Sequence, residues 1–196
     1  MPMARDYSSE PESELIRLAQ EGERGAFDVL VERYQKRVYS VAYGMVNDSE
    51  HALDVTQEAF VKAYQSISSF VGRSNFYTWL YRITFNSAID FIRREQRDKS
   101  VSYEDGAKLD DSPVSGDALL RRLPSPDSAV RRSEIKDAVM KAVETLPEEQ
   151  RAAILLREVH GLSYKEIADV LKCSKGTVMS RLHYARHKLQ KLLKDL

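Results

Sequence analysis

SYKEIADVLKCSKGTVMSRLHYARHKL, running from Ser163 to Leu189, reads as two helices meeting at Lys172-Cys173-Ser174. Ser163 and Glu166 make a Ser-x-x-Glu capping box at the start of the first helix, and Ser174 can cap the second. Ile167, Ala168, Leu171, Val178 and Leu182 supply the apolar contacts between them. Two short helices joined by such a turn form a helix-turn-helix. Lys175, Thr177, Ser180, Arg181 and Arg186 are expected on the outer face of the second helix, where short polar groups reach base edges and basic groups meet phosphate. The alternative is a plain helical hairpin with solvated charges. Against it stands the run from Lys175 to Lys194, which holds six basic residues and no acid.

Upstream of this stretch the helical period continues. Ile135, Ala138, Val139, Ala142 and Val143 mark one helix, ended at Leu146-Pro147. Glu148 to Val159 marks another, with Gly161 as its C-terminal cap. Nearer the N-terminus, Leu15, Leu18 and Ala19 open an amphipathic stretch, and Phe27, Leu30, Val31, Tyr34, Val38, Val41, Ala42 and Met45 follow at spacings of three and four. Asn47-Asp48-Ser49 offers a stop and a fresh cap before Ala52, Val55, Ala59, Phe60 and Ala63. A last helix spans about Phe76 to Arg97, after a turn at Gly72-Arg73-Ser74-Asn75. No strand-like alternation competes. The expected fold is all-α, with two small helical domains joined by a flexible linker and the helix-turn-helix in the second.

The linker is read from composition. Residues 98–130 carry three of the chain's six prolines and little periodicity, apart from a Leu119–Leu123 patch, so they separate two domains. The resulting division is an N-terminal tail and lead-in at 1–24, a first domain at 25–97, the linker at 98–130 and a second domain at 131–196. Charge follows it. Residues 1–97 hold 12 basic against 14 acidic groups, and residues 131–196 hold 14 against 9, although the whole chain of 196 residues is formally neutral. A basic second domain points to an anionic partner and leaves the first with a separate task.

Composition excludes several classes. One cysteine rules out a disulfide framework and points to a reducing compartment. There is no window of roughly 18 apolar residues for a membrane span and no apolar signal core before Pro11, so a cytoplasmic, non-inserted protein is expected. Catalytic candidates fail. His183 and His187 lack the glutamate of a zinc-protease helix, Cys173 has no partner cysteine, and no phosphate loop or nucleophile elbow is present. The chain reads as a binder without cofactor or metal.

Two further patterns lie in the first domain. Trp79, Arg82, Asn86 and Arg93 fall within an arc of roughly 60° on their helix, with Tyr77 and Tyr81 nearby. An aromatic, an amide and guanidinium groups on one stripe suit single-stranded nucleic acid; the alternative puts Trp79 in the core. Asp54, Gln57, Glu58 and Val61 share a face suited to a basic helix of another protein, or serve as an ordinary solvated face.

Together, DVTQEAFVKAYQSISSFVGRSNFYTWLYRITFNSAIDFIRR and LPEEQRAAILLREVHGLSYKEIADVLKCSKGTVMSRLHYARHKL resemble the extracytoplasmic-function (ECF) sigma factors of the sigma-70 family. These are short, two-domain initiation factors of bacterial RNA polymerase. The resemblance implies that Asp54, Gln57, Glu58 and Val61 dock on core RNA polymerase. The loop from Ser66 to Asn75, with Ser66, Phe70, Arg73 and Asn75, would capture a flipped base of the minus-ten element. Trp79, Arg82, Asn86, Asp90, Arg93 and Arg94 would melt and hold that element. Lys175, Thr177, Ser180 and Arg181 would read the minus-thirty-five element of promoter DNA, with Arg186 at the backbone. An anti-sigma factor is the implied regulator. Two departures stand out: Lys172 replaces a common turn glycine, and Val71-Gly72 and Asn75 fall where the family varies, leaving the minus-ten base preference open. A sigma mimic that sequesters an anti-sigma factor, or a helix-turn-helix repressor, are the competing readings. The first should lack the DNA-facing arginines, and the second leaves the Trp79–Arg93 stripe and the Asp54 face without a role.

Overall fold

The computed structural model describes residues 6–102, 135 and 138–194, with side chains up to residue 97 in the longest helix. Most of the expected linker, its Leu119–Leu123 patch and the first five residues lie outside the described residues. Every regular element among the described residues is helical. In chain order these are α1 (Glu12–Gln20), α2 (Arg24–Val46), α3 (Ser49–Ser66), a 3₁₀ turn (Ile67–Ser69) and α4 (Phe76–Ser102). A helical segment at 138–144 precedes α5 (Glu148–Ile154), a π turn (Leu155–Val159), α6 (Tyr164–Leu171) and α7 (Lys175–Leu192).

The expected punctuation is present in atomic detail. Asn47 ends α2 in the left-handed region at φ 51°, and Asp48 caps α3 by accepting the His51 N–H at 2.9 Å. Ser163 and Glu166 close both halves of the capping box on α6. Ser174 caps α7 through the Thr177 N–H at 3.0 Å. Lys172 is left-handed at φ 48°, a conformation that costs a side chain on the order of 1 kcal/mol relative to glycine.

Three boundaries move. Leu15, Leu18 and Ala19 of α1 are buried in one cluster with Phe27, Leu30, Tyr34 and Trp79, so the first unit begins well before residue 25. The amphipathic stripe in α1 needed a partner, and α2 supplies it. The backbone of α4 stays helical to Ser102, past the expected end at Arg97. The helix expected over Glu148–Val159 is α-helical only to Ile154 and then opens into the π turn.

Ala152, Ala153, Ile154, Leu155 and Leu156 are all buried. A helix apolar on every side is buried on every side. α5 packs on α7 within its own unit and on α2 across the chain. One continuous cluster joins Val41, Ala42, Met45, Tyr81, Phe85 and Ile89 of the first unit to Leu146, Leu155, Leu162, Ile167, Val178 and Leu182 of the second. No described helix is long and apolar enough to cross a membrane.

Candidate nucleic-acid and protein interfaces

α3 presents Asp54 and Gln57 to solvent, beside the exposed apolar side chains of Leu53 and Val61. Leu53, Gln57 and Val61 recur at i, i+4, i+8, so Leu53 extends the expected strip by one turn; the same spacing in the sequence carries that signal. Glu58 is partly buried and bridges Lys62 at 2.6 Å and Arg94 at 3.0 Å. Burial opposes its charge, but the hydrogen bonds from Lys62 and Arg94 outweigh it and hold the carboxyl below the ordinary glutamate range. The structure thereby ties a residue of the expected docking face to one of the expected DNA-binding arginines.

The loop after α3 is held by aromatic packing. The Phe70 ring lies 5.6 Å from Phe76 and 5.3 Å from Trp79, and Phe76 lies 5.5 Å from Trp79. The Gln20 side-chain amide donates to the carbonyls of Ile67 at 3.0 Å and Phe70 at 2.8 Å, so the supposed tail anchors the loop. Ser66 is partly buried, its hydroxyl donating to the Lys62 carbonyl one turn back at 2.6 Å. Arg73 and Asn75 remain exposed at the loop's far side.

Trp79 departs from the expected stripe. It is only 6% exposed, wedged into the aromatic cluster, and cannot act as an open stacking platform. Its bulk makes it the largest apolar payload of the helix, and the core claims it. Further along α4, Asn86, Asp90, Arg93 and Arg94 are exposed and Arg82 is partly so. Arg82 and Arg93 have no ion-pair partner among the described residues, whereas Arg94 is held by Glu58. Asn86, Asp90 and Arg93 line a cavity of about 320 Å³ whose other wall includes Glu148 and Glu149 of α5.

On α7, Lys175 and Ser180 are exposed, and the Thr177 hydroxyl lies 2.9 Å from that of Ser174. The two arginines do not occupy the outermost face. Arg181 has a side chain only 18% exposed and ion-pairs with Glu149. Arg186 pairs with Glu158 at 2.7 Å. Both sit at the flanks, because the stripe of buried Val178, Leu182 and Ala185, continued by partly buried Leu189, turns Gly176, Ser180, His183 and His187 outward. Met179 and Tyr184, 58% and 61% exposed, border that face and were missed. Their apolar character gave no signal, since an apolar residue on a helix is first read as core.

His160 joins the two units, its ring 5.2 Å from Tyr81. Lys36 and Arg37 of α2 and Tyr77 and Tyr81 of α4 line the cavity of about 460 Å³ beside it. Burial, with Arg37 adding repulsion, pushes the imidazole pKa down from 6.5 to about 4. Its contribution to stability is therefore complete above pH 6.5 and is lost as pH falls from there toward 4. Thermal melts across that range should show the wild type losing on the order of 2–3 kcal/mol relative to His160→Phe, which has no proton to take up. Parallel melting curves for the two proteins would assign the acid sensitivity elsewhere.

Family models place this geometry. Residues 30–98 match the model described as Sigma-70 region 2, and residues 136–189 match Sigma-70, region 4. RNA polymerase sigma-H factor of Pseudomonas aeruginosa is 40% identical over 96% of this chain and 97% of its own length. ECF RNA polymerase sigma-E factor of Escherichia coli K12 is 38% identical over 93% and 94%. Among solved structures, the sigma factor RpoE in complex with the anti-sigma factor NepR from Bartonella quintana aligns with TM-score 0.65 and 26% identity, over 86% of this chain and 97% of that one. CnrH in complex with the cytosolic domain of CnrY aligns with TM-score 0.66 and 26% identity, over 93% and 97%. With both regions in order and a relative matched end to end, the chain belongs to the sigma-70 family as an ECF sigma factor, a promoter-specificity subunit that directs transcription initiation by RNA polymerase.

Proposed function

We propose a division of labour in which the exposed face of α3 docks on core polymerase, the loop and α4 hold melted minus-ten DNA, and α7 reads the minus-thirty-five duplex. The observation that carries it is the exposure of all three surfaces on helices whose opposite faces are buried: Asp54, Gln57 and Val61 on α3, Asn86 and Arg93 on α4, Lys175 and Ser180 on α7. Arg73 and Asn75 supply the loop's polar contacts, while Phe70 and Trp79 brace it from beneath. Ser66, its hydroxyl held by the last turn of α3, stands at the start of the loop. Thr177 and Arg181 complete the reading surface, and Arg186 meets backbone phosphate.

Melting draws on binding energy alone in this scheme. Extruding a base costs a few kcal/mol, and a pocket that accepts one base at one sequence offsets that cost there. The protein works in the cytoplasm beside polymerase and the chromosome, and an anti-sigma factor of the kind seen with the two structural relatives engages it when it is idle.

Holoenzyme carrying Arg181→Ala and Asn86→Ala separates the two DNA roles, on a promoter selected from a randomised library by the wild type. Arg181→Ala should weaken promoter duplex binding by about 10-fold, within the 1–3 kcal/mol of a bidentate base contact. Asn86→Ala should leave closed-complex affinity unchanged and reduce permanganate reactivity of the unpaired thymines. Unchanged duplex affinity in the first, or full opening in the second, would remove that residue from its role.

A further inference from the structure

The cavity beside His160 is lined by Lys36, Arg37 and Ser40 on α2, by Tyr77 and Tyr81 on α4, and by the turn from Val159 to Leu162. Its chemistry is one-sided. Lys36 and Arg37 bring two cations, and no carboxylate stands among the described lining residues. Among the described residues, the side chains of Lys36, Arg37, Ser40 and Tyr81 have no hydrogen-bond or ion-pair partner. Tyr81 is the sharpest case. The residue is only 3% exposed, and its ring is held 5.9 Å from that of Tyr77 and 5.2 Å from that of His160, yet its hydroxyl is unpaired. The Nε2 atom of His160 is also buried without a partner. A buried polar group without a partner is costly, and several around one space call for an occupant.

The unpaired groups on α2 and α4 can all donate. Lysine and arginine bring charged N–H groups and each hydroxyl brings an O–H, with no carboxylate to answer them. A cleft lined by one sign of charge between low-dielectric walls focuses its field on whatever enters it. Arg37 already acts across this space, opposing a proton on His160. A phosphate monoester carries roughly −1.5 to −2 charge near pH 7 and three acceptor oxygens, which matches two cations and two hydroxyl donors. The volume of about 460 Å³ lies in the range of small-molecule sites and leaves room beyond a bare oxyanion. Apolar surface borders that room: Val159 is 60% exposed, and the partly buried Tyr77 spends its hydroxyl on Glu166, leaving the ring to the cavity. We propose that this cavity binds a small phosphate ester with a flat ring, of the nucleotide class, its phosphate held by Lys36, Arg37, Ser40 and Tyr81 and its ring against Tyr77 and Val159. None of these residues has a part in the division of labour above, so the inference stands apart from it.

The test titrates ADP, GDP, pyrophosphate and adenosine into the full chain, read by calorimetry and by melting temperature. At least one of the two nucleotides should bind and raise the melting temperature, as a ligand of the folded chain does. Pyrophosphate should bind about 10-fold more weakly and adenosine not measurably, because the charged anchor dominates and the ring adds to it. The double variant Lys36→Gln/Arg37→Gln should weaken nucleotide binding by at least about 10-fold, and Tyr81→Phe, which keeps the ring and removes the hydroxyl, by about 3-fold. Lys165→Gln, which removes an exposed cation on α6, should change nothing. If Tyr81→Phe lowers the melting temperature of the unliganded chain, Ser40→Ala takes its place with the same expected loss. Failure of both ADP and GDP to bind overturns the proposal. So does binding that the hydroxyl-deleting variants leave unchanged, since the cations would then act as diffuse surface charge. Pyrophosphate binding as tightly as the nucleotides overturns the ring's part and leaves an oxyanion site. If neither nucleotide binds and holoenzyme carrying Lys36→Gln/Arg37→Gln loses promoter affinity, the two cations belong to DNA and the cavity is no ligand site.

Discussion

Trp79→Ala should destabilise the first unit by about 3–5 kcal/mol, the range for truncating a large buried aromatic side chain. The ring is 6% exposed and contacts both Phe70 and Phe76, so its removal opens a cavity under the loop and not a gap on a DNA surface. Chemical denaturation of the full chain should show this loss directly. Trp79→Phe should recover most of the stability by keeping a ring in the cluster. An indirect loss of minus-ten binding follows, because the loop from Ser66 to Asn75 takes its shape from that packing. If Trp79→Ala were stable and lost only DNA affinity, the residue would have to leave the core to stack on a base, and the aromatic cluster would be a resting state.

Asp54→Lys carries the second large effect, expected in association and not in folding. Asp54 is exposed and Val61 is 55% exposed, so the strip between them is free to meet another protein, and a reversed charge at its edge places like charges opposite a basic partner helix. Like-charge juxtaposition costs several kcal/mol at an interface. Co-elution with core polymerase should be abolished, equivalent to at least a 100-fold loss of affinity, while the melting temperature stays within a degree or two of wild type. Leu53→Ser, at the edge of the same strip, should give a partial loss. Retained co-elution in Asp54→Lys would move the docking surface off α3.

Glu58 separates these effects from a third. Its pairing with Lys62 and Arg94 means that a polymerase side chain reaching Glu58 competes with Arg94 for the same carboxylate. Exposed pairs of this kind are each worth about 0–1 kcal/mol, so the exchange is nearly free in either direction. In the proposed division of labour, docking and DNA binding would meet at this carboxylate without a large energetic penalty.

Local sequence alone determined the helices, their caps and the helix-turn-helix. Asn47, Asp48, Ser163, Glu166, Lys172 and Ser174 act through backbone groups three or four residues away, so their roles are written within one turn of chain. The exposed strip on α3 was legible for the same reason, since a surface face is defined by the helix's own period. Burial decided the rest. Trp79 lies on a stripe with Arg82 and Asn86 by angle, but only the arrival of Phe70 from the preceding loop, with Gln20 of α1 holding that loop, determines that the ring faces inward. Arg181 and Arg186 belong to a basic run by composition, yet at the flanks of α7 they pair with Glu149 of α5 and Glu158 of the π turn. The run Ala152–Leu156 was apolar on every side without saying against what. Gly44, silent in the sequence because an absent side chain leaves no pattern, shows the answer: Leu155 fills the space above it, a contact between residues 111 positions apart that no local period can encode.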